Sequence, residues 1–196
     1  MGLDDGQIQI VTSFYPIYLH VINITKDIEG IEVINMTQPQ TGCLHDYQLT
    51  PNDLKTLETA DIFVINGGGM EAFIDKVISQ LPALTVVNAS ENINLLENGD
   101  HDHEEHDHDH DHEYNPHVWV SISGAIAQVE NIANKLASAD QSNEKAYQEN
   151  ARVYIEKLDE LAKEMHASLD SLSNKNIVTF HEAFPYFAEE FDLNIV

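Results

Sequence analysis

Cysteine is almost absent from this chain: Cys43 is the only one among 196 residues. An internal disulfide and a CxxC metal motif are therefore excluded. Cys43 lies two residues before His45, so one interpretation is a thiolate ligand, and the other, which we favour, is a small buried apolar residue beside the loop. With 42% hydrophobic residues, the chain has enough apolar surface for one sizeable domain or two small lobes.

Basic residues are scarce as well. The chain has 9 lysines and arginines against 34 acidic residues, which gives a net charge of −25. Nucleic acids and anionic lipids would be repelled by such a surface, so both are excluded as direct partners. The charge favours cations as ligands, and plain solubility is the alternative explanation.

Long apolar runs and a recognisable leader are also lacking. No stretch of 18 or more apolar residues occurs, so no transmembrane helix is expected. Residues 1–5 have neither a basic segment nor an apolar one of the kind that a signal peptide needs. The sequence is that of a cytosolic protein or of a chain that begins after a removed signal.

The common catalytic motifs are missing too. There is no GxSxG and no credible Ser/His/Asp set. Gly67–Gly69 follows a strand, but no Lys-Ser/Thr and no GxGxxG spacing accompany it, so a nucleotide site is rejected. We expect these glycines to let the backbone pass close to a neighbouring ligand loop. His181-Glu182 resembles the start of HExxH, but position 185 is proline, and the chain is not expected to be an enzyme.

Hydrophobic patterns alternate between strand and helix along the chain. The predicted strands are 7–13, 32–36, 61–66, 85–88, 176–180 and 193–196, and the predicted helices are 15–28, 51–59, 70–80, 121–171 with a break near 138–142, and 183–191. This order predicts an α/β fold with mainly parallel sheets. In such sheets, ligands bind outside the carboxyl ends of the strands.

The second half of the helical region, 143–172, carries apolar residues at helical spacing over about 30 residues and would span roughly 45 Å. That length suits a rigid helix joining two α/β sandwich lobes. We expect an N-terminal lobe at 7–120, helices at 121–172, and the start of a second lobe at 175–196. Because two strands and one helix bury little core, we expect the second lobe to be truncated.

Three histidines lie at the boundaries of predicted elements. His45 precedes a strong helix start signal, in which Thr50 is a plausible N-cap, Pro51 fits the first helical position and Asp53 lies three residues after the cap. His117 and His181 lie in loops that precede other elements. We hypothesise that these three histidines converge on one metal ion, zinc, which takes three or four N, O or S ligands.

Residues 98–114 are a low-complexity acidic segment, predicted to be a disordered loop. Six of the eleven histidines fall in it: His101, His103, His106, His108, His110 and His112. Such a loop should bind several divalent ions weakly, and better as the pH rises above about 6.5. The alternative is a solubilising linker. His20 and His166 are interpreted as ordinary helix residues.

Five motifs together resemble one known family. They are Thr12–Pro16, His45–Asp53, Asn66–Glu71, Asn115–Trp119 and His181–Phe187. The family is the cluster A-I solute-binding proteins, metal-binding lipoproteins and periplasmic proteins that supply zinc or manganese to ABC importers. The resemblance covers nearly all of the chain.

The resemblance implies two α/β lobes joined by one long helix, with the metal held between the lobes. The family's first three ligands fall on His45, His117 and His181. In the manganese branch of the family, the third ligand looks like glutamate. Histidine at that position in this chain, His181, implies Zn²⁺ rather than Mn²⁺ as the transported ion. The fourth ligand is left open between water, a loop histidine and a residue of another molecule.

The implied function is extracytoplasmic zinc capture, in the periplasm or as a lipoprotein on the outer face of the membrane. The implied partner is an ABC permease with its ATPase, with no nucleic acid involved. A monomer is expected, and dimerisation of the truncated form is left open. The alternatives are a surface metal-buffering or adhesin-like protein and a zinc-dependent hydrolase, for which Glu182 is the candidate base.

Overall fold

The computed structural model describes residues 7–37, 44, 47–98 and 114–196. Its elements, in chain order, are β1 (Ile8–Thr12), α1 (Tyr15–Ile24), β2 (Ile31–Asn35), α2 (Pro51–Glu58), β3 (Ile62–Ile65), a 3₁₀ turn (Ala72–Ile74), α3 (Asp75–Ile78), β4 (Thr85–Asn88), a second 3₁₀ turn (Val118–Val120), α4 (Ile122–Ala139), α5 (Glu144–Leu169), β5 (Asn176–Ile177), α6 (Pro185–Glu190) and β6 (Asn194–Ile195).

The first four strands form one parallel sheet in the order β2-β1-β3-β4. Alternate side chains of its central strands enter two separate cores. Ile10 and Ile62 pack with residues of α1, α4 and α5 on one face. Val11 and Phe63 pack with Leu57 of α2 on the other face. The predicted α/β fold with a parallel sheet covered on both faces is confirmed.

The predicted start of α2 is confirmed in detail. Thr50 has extended backbone, and its hydroxyl accepts a hydrogen bond from the Asp53 backbone N–H at 3.3 Å. The Asp53 carboxylate in turn accepts from the Thr50 N–H at 2.7 Å, which completes a capping box. It also accepts from the Tyr47 hydroxyl at 2.9 Å, so the segment leading into the helix is fixed at two points.

The glycine turn after β3 behaves as expected, but the helix after it does not. Gly67, Gly68 and Gly69 all have positive φ, and a Cβ on Gly68 would lie 3.2 Å from the Pro116 Cα. The close backbone approach is therefore confirmed. The single helix predicted over 70–80 is wrong: a 3₁₀ turn precedes α3, which has four residues. The Glu71 carboxylate folds back onto backbone N–H groups of the turn and delays the helix start.

Two long helices follow the first sheet in the chain and pack on one of its faces. The break predicted near 138–142 is confirmed, since α4 ends at Ala139 and α5 begins at Glu144. With 26 residues, α5 is about 39 Å long. Only its first half is buried in the core, at Tyr147 and Ala151. No helix among the described residues is both long and apolar enough to cross a membrane.

Beyond α5, the last strands are shorter than the predicted 176–180 and 193–196. Only two residues of each pair in parallel, with Asn176 opposite Asn194. The segment is fastened to the rest of the chain by α6, whose Glu190 carboxylate accepts hydrogen bonds from the backbone N–H groups of Ile122 (2.7 Å) and Ser123 (3.2 Å). These N–H groups have no partner within α4, so Glu190 satisfies the start of that helix.

Candidate metal site

His117 lies directly before the 3₁₀ turn that leads into α4, and it is 3% exposed. Its ring packs against Trp119, with centroids 5.1 Å apart, and Trp119 in turn meets Phe14 edge to face at 4.8 Å. These aromatic contacts fix one side of the imidazole. The His117 ring is therefore already held in one position and needs no large rearrangement to bind a metal ion.

The backbone just before His117 is held by a buried polar network. The Asn66 side chain, at the carboxyl end of β3, donates to the Pro116 carbonyl at 2.9 Å. Gln128 of α4, which is fully buried, donates to the Asn66 Oδ1 at 2.8 Å and to the Ser90 hydroxyl at 3.0 Å. Buried polar groups of this kind specify one arrangement when their hydrogen bonds are made. The network thus joins the sheet edge, α4 and the His117 loop.

Glu71 stabilises the backbone at the carboxyl end of β3, where Asn66 lies. Its buried carboxylate accepts from the backbone N–H groups of Asn66 at 2.7 Å and Gly67 at 3.0 Å. Burial raises the pKa of Glu71 to about 7, although these hydrogen bonds oppose the shift. The Asn66 side chain holds Pro116, and the Asn66 backbone is in turn fixed by the titratable carboxyl group of Glu71.

His181 reaches the site from the other side, in the segment between β5 and α6. The segment is tied to the His117 loop by Asn115, whose side-chain amide donates to the Glu182 carbonyl at 2.8 Å. The Tyr186 hydroxyl donates to the Asn115 carbonyl at 2.7 Å and accepts from the Leu96 N–H at 2.9 Å. Two chain segments 64 residues apart are thereby held side by side.

The two imidazole rings meet edge on. The Nε2 atoms of His117 and His181 lie 3.2 Å apart, and the ring planes are at 87°. Two nitrogens bound to one tetrahedral zinc at about 2.0–2.1 Å would lie about 3.3 Å apart. The pair therefore already has the nitrogen spacing of two ligands on one zinc ion.

The rings border a cleft of about 360 Å³, lined by Asn98, Asn115, Pro116, His117, Phe180, His181 and Glu182. The cleft is built from both the first sheet's loops and the segment after α5. Phe180 is fully exposed at its edge. An ion bound between the two histidines would be reachable from solvent along this cleft.

Of the three predicted ligands, the structure brings two together. His45 and Cys43 lie outside the described residues, and so do the six loop histidines His101, His103, His106, His108, His110 and His112. Within 7–37, 44, 47–98 and 114–196, no group of three or more His, Cys, Asp or Glu residues is placed to hold a metal. The three-histidine site therefore stays a prediction.

The two remaining histidines, His20 and His166, are not among the residues that line the cleft. His20 on α1 is 5% exposed, and burial lowers its pKa to about 4, so it is neutral. His166 on α5 is exposed and pairs with Asp170, Nδ1 to Oδ1 at 3.0 Å. Neither contributes to the site.

Sequence reasoning missed the residues that position the ligands. Asn66, Glu71, Asn115 and Tyr186 fall in motifs, but no role was assigned to them. Gln128 was missed altogether. A signal for it existed: it is the polar residue within the apolar stripe of α4, beside Ala125, Val129 and Ile132. A polar residue at a core position needs buried partners.

Comparison with known proteins identifies the family. Residues 10–196 match the family model described as zinc-uptake complex component A, periplasmic. The high-affinity zinc uptake system protein ZnuA of Bacillus subtilis is 36% identical over 196 residues, and the zinc-binding protein AdcA of Streptococcus pyogenes is 33% identical over 207 residues. The chain covers 60% of the first relative and 39% of the second, so it spans only part of their length.

Solved structures show the same fold. The Zn(II)-bound ZnuA-like domain of Streptococcus pneumoniae AdcA superposes with a TM-score of 0.84 at 30% identity, over 97% of this chain and 66% of that one. The Zn(II)-bound AdcA of the same organism gives a TM-score of 0.85 at 30% identity, over 97% of this chain and 39% of that one. The predicted fold class of two α/β lobes with mainly parallel sheets joined by a long helix is thus confirmed.

Proposed function

We propose that this chain, which belongs to the family of periplasmic zinc-uptake complex component A, captures Zn²⁺ outside the cytoplasm for an ABC-type importer. The single observation that carries the proposal is the His117–His181 pair, with its Nε2 atoms 3.2 Å apart beside an open cleft. Neutral imidazole is a preferred zinc ligand, and three histidines leave a fourth position open. Zinc is here the cargo.

His45 completes the proposed ligand set. In the sequence, His45 comes after β2 and before the capped start of α2, and ligands in such folds bind outside the carboxyl ends of the strands. The relatives known as zinc-binding AdcA and ZnuA support zinc over manganese as the cargo. The histidines between 101 and 112 would act as accessory sites that raise the local zinc supply.

The rest of the proposal concerns organisation and partners. We divide the chain into an N-terminal lobe at 7–120, helices at 121–172 and part of a second lobe at 175–196. The partner is an ABC permease with its ATPase, and the place of action is the periplasm or, as a lipoprotein, the outer face of the membrane. The chain acts by binding and release of the ion, and it carries out no catalysis on it.

A zinc competition titration at neutral pH tests the proposal. The comparison is between the intact chain, a chain lacking 100–113, and that shortened chain with His117→Ala or His181→Ala. Glu97 and Tyr114, the bridged residues on either side of the deletion, form an antiparallel pair, so a short connection can replace residues 100–113 and the deletion should be tolerated. His166→Ala, which removes an exposed histidine outside the cleft, is the matched control.

We expect one tight site to survive the deletion and to be unchanged by His166→Ala. Each ligand variant should lose more than the 10- to 100-fold that removal of a ligand's supporting partner costs. If tight binding disappears with the loop and ignores His117 and His181, the proposal is wrong, and the chain is a histidine-tract metal buffer.

A further inference from the structure

The Asn115 side chain contacts both halves of the candidate site. Its Oδ1 lies 3.0 Å from the His117 backbone nitrogen and 2.9 Å from the His117 Nδ1, and its Nδ2 lies 2.8 Å from the Glu182 carbonyl oxygen. At 3% exposure, it is shielded from water. We propose that Asn115 is a positioning residue that selects the metal-binding tautomer of His117 and sets its spacing to His181.

The orientation of the amide follows from two partners whose roles are fixed. The His117 backbone N–H can only donate, so it must face the amide oxygen. The Glu182 carbonyl can only accept, so it must face the NH₂ group. The flip ambiguity that usually affects asparagine is thus resolved by the backbone on both sides.

The tautomer of His117 follows from that orientation. Since its Nδ1 faces the same Oδ1 at 2.9 Å, and that oxygen can only accept, Nδ1 must carry the proton. A neutral ring then has its lone pair on Nε2, which is the atom directed at His181. A zinc ligand needs this unprotonated nitrogen, and a hydrogen bond from the other ring nitrogen is the usual way to supply it.

The second half of the amide sets the spacing. By donating to the Glu182 carbonyl, Asn115 fixes the backbone directly after His181, while its oxygen fixes His117. The Tyr186 hydroxyl, bonded to the Asn115 carbonyl at 2.7 Å, keeps the residue itself in place. One buried side chain therefore joins the two ligand segments, and the 3.2 Å separation of the Nε2 atoms depends on it.

Histidine ring nitrogens in the metal-free, ¹⁵N-histidine-labelled chain provide the test. Long-range ¹H–¹⁵N spectra at a pH where the rings are neutral report which nitrogen carries the proton, and the His117 signal is assigned by its loss in His117→Ala. We expect the Nδ1–H form in the wild-type chain and in Asn115→Asp, which keeps an oxygen at the same place. Asn115→Ala should shift the ring toward the Nε2–H form.

Tyr147→Phe is the matched control for lost stability. It removes a buried hydrogen bond, from the Tyr147 hydroxyl to the Asp140 carboxylate at 2.9 Å, between residues that do not line the cleft. We expect this variant to unfold more easily and to keep the His117 tautomer. If Tyr147→Phe changes the tautomer as much as Asn115→Ala does, or if Asn115→Ala leaves it unchanged, the inference is wrong.

Zinc titration extends the test, and this step rests on the proposed function. Asn115→Ala should weaken zinc binding by about 10- to 100-fold, and Asn115→Asp should lose less than Asn115→Ala. Failure of the wild-type chain to bind zinc would refute the proposed function, while the metal-free spectra would still decide the tautomer. Tight wild-type binding with equal affinity in Asn115→Ala would refute the role of Asn115.

Discussion

Replacing Gln128 with leucine should destabilise the fold although leucine has a similar size and a greater hydrophobicity. The Gln128 amide donates to the Asn66 Oδ1 at 2.8 Å and to the Ser90 hydroxyl at 3.0 Å, and all three residues are buried. Leucine would leave both acceptors without that donor. Each such loss costs about 1–3 kcal/mol, and the greater apolar burial of leucine offsets part of the sum, so the free energy of unfolding should fall by about 2–4 kcal/mol.

Urea unfolding of the metal-free chain, followed by far-UV circular dichroism, measures this change. In a thermal unfolding experiment on a chain of this size, the same loss of stability should lower the Tm by about 5–15 °C. Gln148→Leu is the matched control, because Gln148 is exposed on α5 and its side-chain bond to Glu144 is long at 3.4 Å. The control should change stability by less than about 0.5 kcal/mol. A Gln128→Leu variant as stable as the control would refute the proposed role of the buried network.

Two further predictions concern a pH dependence and a helix cap. Because burial raises the Glu71 pKa to about 7, the folded chain binds a proton more tightly than the unfolded chain, and stability should rise as the pH falls from 7 to 5. Relative to Glu71→Gln, the wild-type chain should gain about 2 kcal/mol over that window; parallel pH curves would contradict this. Thr50→Ala removes one half of the α2 capping box and should cost about 1 kcal/mol in the same assay, whereas an unchanged midpoint would show that the cap is dispensable.

Local sequence signals accounted for much of the fold. Thr50, Pro51 and Asp53 carry the start of α2 within four residues, so no tertiary contact is needed to read it. The alternation of strand and helix patterns was likewise enough for a parallel sheet. The helix predicted over 70–80 failed because Glu71 uses its side chain for backbone groups of the glycine turn, which a helical pattern does not reveal.

The candidate site was predictable only in its ligands. His117 and His181 stood out as histidines at element boundaries, and the structure places their Nε2 atoms 3.2 Å apart. The roles of Asn66, Asn115 and Gln128 depend on partners 38 to 67 residues away along the chain. The apolar stripe of α4 marks Gln128 as a residue that needs buried partners, but the sequence does not show which residues those partners are. The distant partners of Asn66, Asn115 and Gln128 are therefore visible only in the structure.

The most direct measurement of the central claim is zinc K-edge X-ray absorption on the chain lacking 100–113, loaded with one equivalent of zinc. The wild-type spectrum should contain imidazole nitrogens at about 2.0 Å. The number of bound imidazoles should fall by one in His117→Ala and by one in His181→Ala, and it should stay unchanged in His166→Ala. An imidazole count that is the same with and without His117 or His181 would contradict a zinc ion shared by the two.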